Sequence, residues 1–105
     1  MKDIVIGGVP LEWDDKKDEI NKEKHGISFL TAAYVFTDEN RVELFDEDYS
    51  YYEDRHAVIG LVGRLLFVVY TERWDVVRLI SARAATKEEE EIYNENNKGH
   101  HKAGR

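Results

Sequence analysis

Four strand-like runs packed into residues 41–81 constrain this chain more than any other feature. They are Arg41–Phe45, Arg55–Val62, Leu65–Thr71 and Val76–Ser81. Gly63-Arg64 separates the second run from the third, and Glu72–Asp75 separates the third from the fourth. Connections this short join antiparallel neighbours, because a parallel crossover needs about a dozen residues or more. The third run, Leu65-Leu66-Phe67-Val68-Val69-Tyr70, is apolar at both parities, which marks a central strand covered on both faces. Such a strand needs material on each side of the sheet.

The flanking segments supply helices. Asp14 or Asp15 suits the N-cap of a helix over about 15–25, and Lys24, His25 and Gly26 suit its C-terminal end. That helix is mostly charged, with Ile20 alone as an apolar stripe. Ser28 then caps a second helix over about 29–37, with Phe29, Ala33 and Phe36 on one face and Ala32 and Val35 beside it. Thr86 opens a last helix through the capping box Thr86-Lys87-Glu88-Glu89. Residues 1–12 read as an extended lead, broken by Gly7-Gly8 and Pro10, with Leu11-Glu12-Trp13 as a short edge strand. The expected architecture is one α+β domain over residues 1–105: two N-terminal helices, an antiparallel meander of about four strands and a C-terminal helix. Its core spans about 11–94, and 95–105 reads as a polar, frayed tail.

Several classes are excluded at this level. No stretch approaches the ~20 apolar residues of a membrane span, and Met1–Ile4 does not begin like a signal peptide. The cytoplasm is the expected compartment. Cysteine is absent, and no two of His25, His56, His100 and His101 stand at helical i, i+4 spacing, so no native metal or cofactor is expected. Gly7-Gly8 lacks the Gly-Lys-Ser/Thr of a phosphate loop.

The net charge of −7 argues, taken whole, against a nucleic-acid partner. It is unevenly spread. Residues 37–54 carry eight acids against one arginine, and their segment 46–54 reads as an acidic, tyrosine-rich loop, solvated or touching a partner through Tyr49, Tyr51 and Tyr52. Residues 55–83 carry Arg55, Arg64, Arg73, Arg78 and Arg83 against only Glu72 and Asp75. Arg64 and Arg73 fall in or beside turns. Arg55 starts a strand and either pairs with the acidic loop or serves a site. Arg78 is mid-strand on the face of Val76 and Ile80; Arg83, five residues on, belongs to the opposite face of an ideal strand unless the strand end turns it back. If Arg55, Arg78 and Arg83 converge, they form a forked-donor site suited to phosphate; otherwise Arg78 neutralises carboxylates on the sheet. Lys24-His25-Gly26 is either a plain helix end or a cation and imidazole presented to a substrate.

In order and spacing, Glu12-Trp13-Asp14, Lys24-His25-Gly26, Ser28-Phe29, Arg55…Gly60, Val68-Val69-Tyr70-Thr71-Glu72, Arg78-Leu79-Ile80-Ser81-Ala82-Arg83, Ala85-Thr86, Glu89 and Tyr93 resemble the BrnT toxin family of bacterial type II toxin–antitoxin systems. The resemblance covers about residues 11–94. Two departures stand out: Ala84 where the family usually has proline, and an acidic Lys87–Glu91 where its last helix is often arginine-rich.

The resemblance implies a RelE-like fold and metal-independent RNA cleavage that inhibits translation and arrests growth. It implies Arg55, Arg78 and Arg83 as stabilisers of the transition state, since arginine stays protonated. It makes His25 the acid–base candidate with Glu72 second, Lys24 a phosphate contact and Tyr93 a further RNA contact. A ribbon-helix-helix antitoxin is the implied partner, with DNA reached only through that antitoxin and no role for a membrane. The acidic last helix leaves a second reading: a catalytically degenerate homologue that binds antitoxin and regulates its own operon. An unrelated small domain, such as another hydrolase, is the third.

Overall fold

The computed structural model describes residues 2–45 and 55–103. The chain starts with a hairpin, β1 (Lys2–Ile6) and β2 (Val9–Trp13), turned by Gly7-Gly8 with both glycines at positive φ. Helix α1 (Asp15–His25) and α2 (Phe29–Ala33) follow, and a 3-10 turn (Tyr34–Thr37) extends α2. Then come β3 (Val42–Phe45), β4 (Arg55–Val62), β5 (Arg64–Arg73), β6 (Val76–Ala84) and α3 (Lys87–Ala103). All six strands join one sheet in the order β1-β2-β6-β5-β4-β3.

This corrects the expected architecture. The antiparallel run β3-β4-β5-β6 is there, but it is part of a six-stranded mixed sheet, because the extended lead before α1 is a hairpin that joins the sheet through β2. The glycine pair that reads as a break is a hairpin turn, since glycine accepts positive φ without steric cost. Pro10 precedes the point where β2 meets β6, in parallel, at Leu11↔Val77 and Glu12↔Arg78. That pairing joins residues 66 positions apart, so local sequence carries no trace of it. The last helix also continues to Ala103, through the segment expected to fray. The acidic loop 46–54 lies outside the described residues.

Caps set the helix bounds. Asp14 Oδ1 accepts from the Lys16 and Lys17 amides, and these bonds hold its carboxyl below the usual range. Gly26 closes α1 in the left-handed region, φ 70°. The Ser28 hydroxyl accepts from the Thr31 amide, and Asp18 Oδ1 reaches across from α1 to the Phe29 amide at 2.8 Å. Helix α1 is not anchored by Ile20, which is exposed. Its anchor is the buried Asn21, whose amide nitrogen donates to the carbonyls of Ile27 (2.9 Å) and Ala82 (2.8 Å) while its oxygen accepts from the Ala82 amide (3.1 Å). Asn21 thus supplies β6 with backbone-like bonds at Ala82, where β2 no longer pairs with it.

The sheet has a core on each side. On one side Phe29, Ala32, Ala33, Val35 and Phe36 pack onto Val58, Leu66, Val68, Tyr70, Leu79 and Ala82. Gly60 permits that approach: a Cβ there would stand 2.8 Å from Val35 Cβ. On the other side Tyr93 of α3 packs on Val42 and Ile59, with Leu44, Leu65 and Phe67 against them. Asp38 ties this second core together. Its Oδ2 accepts from the Tyr93 hydroxyl (2.8 Å) and the Leu61 amide (2.9 Å), and its Oδ1 from the Asn40 amide (2.9 Å). Burial first, then the Asp38 hydrogen bond and charge, push the Tyr93 hydroxyl up to about 12. Helix α3 covers only part of its side, and the arginines stand on the part that α3 leaves.

Candidate active site

Strand alternation puts Phe67, Val69, Thr71 and Arg73 on one face of β5, the face that carries α3. The register then builds rows across the sheet. Thr71 faces Arg55 on β4 and Arg78 on β6, and Arg78 faces Glu12 on β2. Val69 faces Ala57 and Ser81, and Phe67 faces Ile59 and Arg83.

Arg78 and Arg83 share this face because β6 is irregular between them. Tyr70 pairs with Leu79 and Val69 with Ser81, so Ile80 is an extra residue on β6. One extra residue inverts the parity of a strand. The expectation that an ideal strand sends the two arginines to opposite faces fails for that reason. The strand also runs through to Ala84, so no turn at its end is needed.

Beside α3 these rows enclose an open cleft of about 410 Å³, lined by Arg55, His56, Ala57, Phe67, Val69, Ser81, Arg83 and Glu89. Its most organised element is Arg83. Nη1 and Nη2 donate to Glu89 Oε1 and Oε2, each at 2.8 Å, and Nη1 also donates to the Ala84 carbonyl at 3.2 Å. The guanidinium lies over the Phe67 ring with Cζ 4.3 Å from the centroid. Glu89 in turn closes the capping box, with Oε1 accepting from the Thr86 amide (2.8 Å) and its own amide donating to the Thr86 hydroxyl (3.2 Å). The Glu89 hydrogen bonds raise the Arg83 pKa. Burial pushes Glu89 up, but the Arg83 and Thr86 bonds and the Arg83 charge outweigh it and hold the carboxyl below its usual value. Among the described residues the Arg83 Nε–H and the second Nη2–H have no acceptor. A planar guanidinium held from one edge and from below therefore presents its other edge, a geometry suited to two oxygens of one anion.

The other expected site residues are distributed as follows. Arg55 lines the cleft. Arg78 lies one row from Ala57, Val69 and Ser81 and is bonded to Glu12 at 2.9 Å, as the alternative reading of that arginine required. Lys24 and His25, at the exposed C-terminal end of α1, line a neighbouring depression of about 250 Å³ with Ile80 and Ser81; Ser81 is common to both. Glu72 points to the opposite face of the sheet, beside Tyr70, Glu43 and Asp75. Burial, with the Glu43 and Glu72 charges, pushes Tyr70 there up to about 12. Tyr93 is buried with its hydroxyl committed to Asp38. Among the described residues no group of three His, Asp or Glu side chains is placed to hold a metal, and no helix is long and apolar enough to cross a membrane.

Sequence reasoning had given no site role to Glu89, Glu12, Ser81 or Phe67. The capping box was a visible signal for Glu89, but nothing in the pattern says that its carboxylate turns back to Arg83.

Comparison with known proteins bears on the family and the fold. Residues 13–89 match a family profile described as "Ribonuclease toxin, BrnT, of type II toxin-antitoxin system". Among solved structures, the crystal structure of the Brucella abortus ribonuclease toxin BrnT matches with a TM-score of 0.59 and 21% identity, over 73% of this chain and 96% of that one. No curated relative matches the sequence.

Proposed function

The chain belongs to the BrnT toxin family of type II toxin–antitoxin systems, which implies an antitoxin partner, and from that premise we propose that it is a ribonuclease whose site is the arginine cleft beside α3. The observation that carries this reading is the Arg83 fork, pinned by Glu89 and Phe67 with its Nε–Nη2 edge unbonded. The reaction is attack of a ribose 2′-hydroxyl on the adjacent phosphorus. A base takes the hydroxyl proton, the P–O5′ bond breaks, and an acid protonates the departing 5′-oxygen. The products are a 2′,3′-cyclic phosphate and a 5′-hydroxyl. Arg83 and Arg55 donate to the non-bridging oxygens as charge builds on them, and Arg78 serves the neighbouring phosphate. His25 is the acid–base group, reached by a substrate lying across Ser81, and Lys24 beside it contacts phosphate by charge. Glu72 and Tyr93 stand outside this reading because of where their side chains lie. The chemistry needs no metal. It inhibits translation and arrests growth in the cytoplasm until a ribbon-helix-helix antitoxin binds, and that antitoxin makes the DNA contacts of the complex.

A second reading has its own observation. Arg78 and Arg83 both carry carboxylate partners, and α3 opens on four consecutive glutamates, so the cleft is less cationic than its arginines suggest. On that reading the chain binds antitoxin and does not cut. Incubating the purified protein with single-stranded RNA in excess EDTA separates the two. The ribonuclease reading expects cyclic-phosphate ends and a rate loss of about 10²–10³ in each of Arg55→Ala and Arg83→Ala. Intact RNA, with antitoxin binding and no growth arrest on expression without the neighbouring gene, supports the second.

A further inference from the structure

The chain has two tryptophans in opposite situations. Trp13 is 2% exposed and packs edge-to-face on Phe29 at 6.2 Å. Trp74 is 95% exposed, at the tip of the β5–β6 hairpin. Its backbone is also unusual: Trp74 and Asp75 have φ 53° and 69°. A two-residue turn with both φ positive favours Asn-Gly, and a bulky residue there is held at a steric cost. Nothing in the fold requires an indole at that tip, since it packs in neither core.

What lies behind it gives the indole a use. By the alternation of β5, Arg73 stands on the cleft face, immediately before Trp74. Arg55 and Arg78 flank Thr71 one row further in, and Arg83 pairs with Phe67 two rows beyond. Four guanidinium groups thus follow the strand from the cleft to the hairpin tip, over about 20 Å at the rise of a β-strand. Among the described residues the acids along this line include Glu12, held by Arg78, and Glu89, held by Arg83, with Asp75 in the turn. Glu72 faces the other side. Proteins that hold single-stranded nucleic acid combine a cationic track for the backbone with exposed aromatic faces for the bases.

We propose that Trp74 is a base-stacking platform at the outer end of the arginine track, taking a base of a single-stranded RNA a few nucleotides from the phosphate held at Arg83. This rests on the ribonuclease reading and adds where the substrate leaves the cleft. A stacked base contacts the aromatic face whatever its identity, so the platform fixes the position of the strand and not its sequence.

The test uses the full chain and a 2′-O-methyl oligoribonucleotide, which lacks the attacking hydroxyl and is not cut. Trp13 is enclosed, so quenching of tryptophan emission on titration reports on Trp74. Saturable quenching is expected. Trp74→Phe keeps the affinity, and Trp74→Ala binds about 5- to 150-fold more weakly, the ~1–3 kcal/mol of one stacked base. Thermal unfolding of both variants confirms that they are folded. Equal affinity of parent and Trp74→Ala without quenching, while RNA with free 2′-hydroxyls is still cleaved, overturns the platform and leaves the ribonuclease reading standing. No RNA binding by the parent at low salt overturns both. Unchanged RNA affinity in Trp74→Ala with weakened antitoxin binding assigns the indole to the protein partner and also overturns the proposal.

Discussion

On the side of the sheet covered by α1 and α2, Val58, Leu66, Val68, Leu79 and Ala82 are shut away from water. One residue over on the same strands, Arg55, Thr71, Arg78, Ser81 and Arg83 form the opposite surface. The first side is held by apolar burial, with few polar bonds. The second is held by forks and ion pairs, Arg83–Glu89 and Arg78–Glu12, and is covered only in part by α3. On the proposed reading, stability and chemistry are divided by strand parity. A substitution on the first side should act through folding, and one on the second through RNA.

The largest effect is expected on the first side. Phe29→Ala removes a fully buried ring between Trp13 and the sheet, at a cost of about 3–5 kcal/mol in a urea melt. Below the shifted midpoint, cleavage per folded molecule should not change. A specific loss of activity there would break the division.

Asn21→Leu should come next and should cross it. It leaves the Ala82 amide and carbonyl and the Ile27 carbonyl without their partner, a loss of about 3 kcal/mol. Ala82 is the immediate neighbour of Arg83, so cleavage per folded molecule should fall as well. Lost stability with full activity would show that the β6 edge does not position the fork.

Glu89→Gln is the mildest. Glutamine keeps the capping box but weakens the fork to Arg83. Cleavage should fall about tenfold, the difference between a charged and a neutral hydrogen-bond pair. A rise would mean that Glu89 competes with phosphate. The pH dependence has a definite sign. The folded pKa of Glu89 is lowered, so its stabilisation is present above the unfolded value of ~4.3 and is lost as pH falls through the folded value. In Glu89→Gln the acid limb of the stability curve should therefore be shallower.

What could be read in the sequence was local. Asp14, Gly26, Ser28 and Thr86 bounded the helices because caps are short-range chemistry, and Gly63 placed a hairpin. The β2–β6 pairing was not legible, because residues 11 and 77 meet only through tertiary packing. Nor was the bulge at Ile80, since a one-residue register shift leaves no mark in an apolar run. That bulge decides whether Arg78 and Arg83 share a face, so the site was legible in its residue types and not in its assembly. His25 shows the converse: its place on α1 followed from the caps, but its distance from the arginines depended on how α1 lies along β6.

The most direct test of the account is Arg83→Lys, with RNA cleavage in EDTA and the thermal midpoint measured on one preparation. Lysine keeps the charge and an ion pair with Glu89 but has no second edge to offer an anion. The account predicts a rate loss of at least about tenfold, with the midpoint close to the parent's because Arg83 is partly exposed. Full activity in the lysine variant, or a loss that only tracks the unfolded fraction, would contradict it.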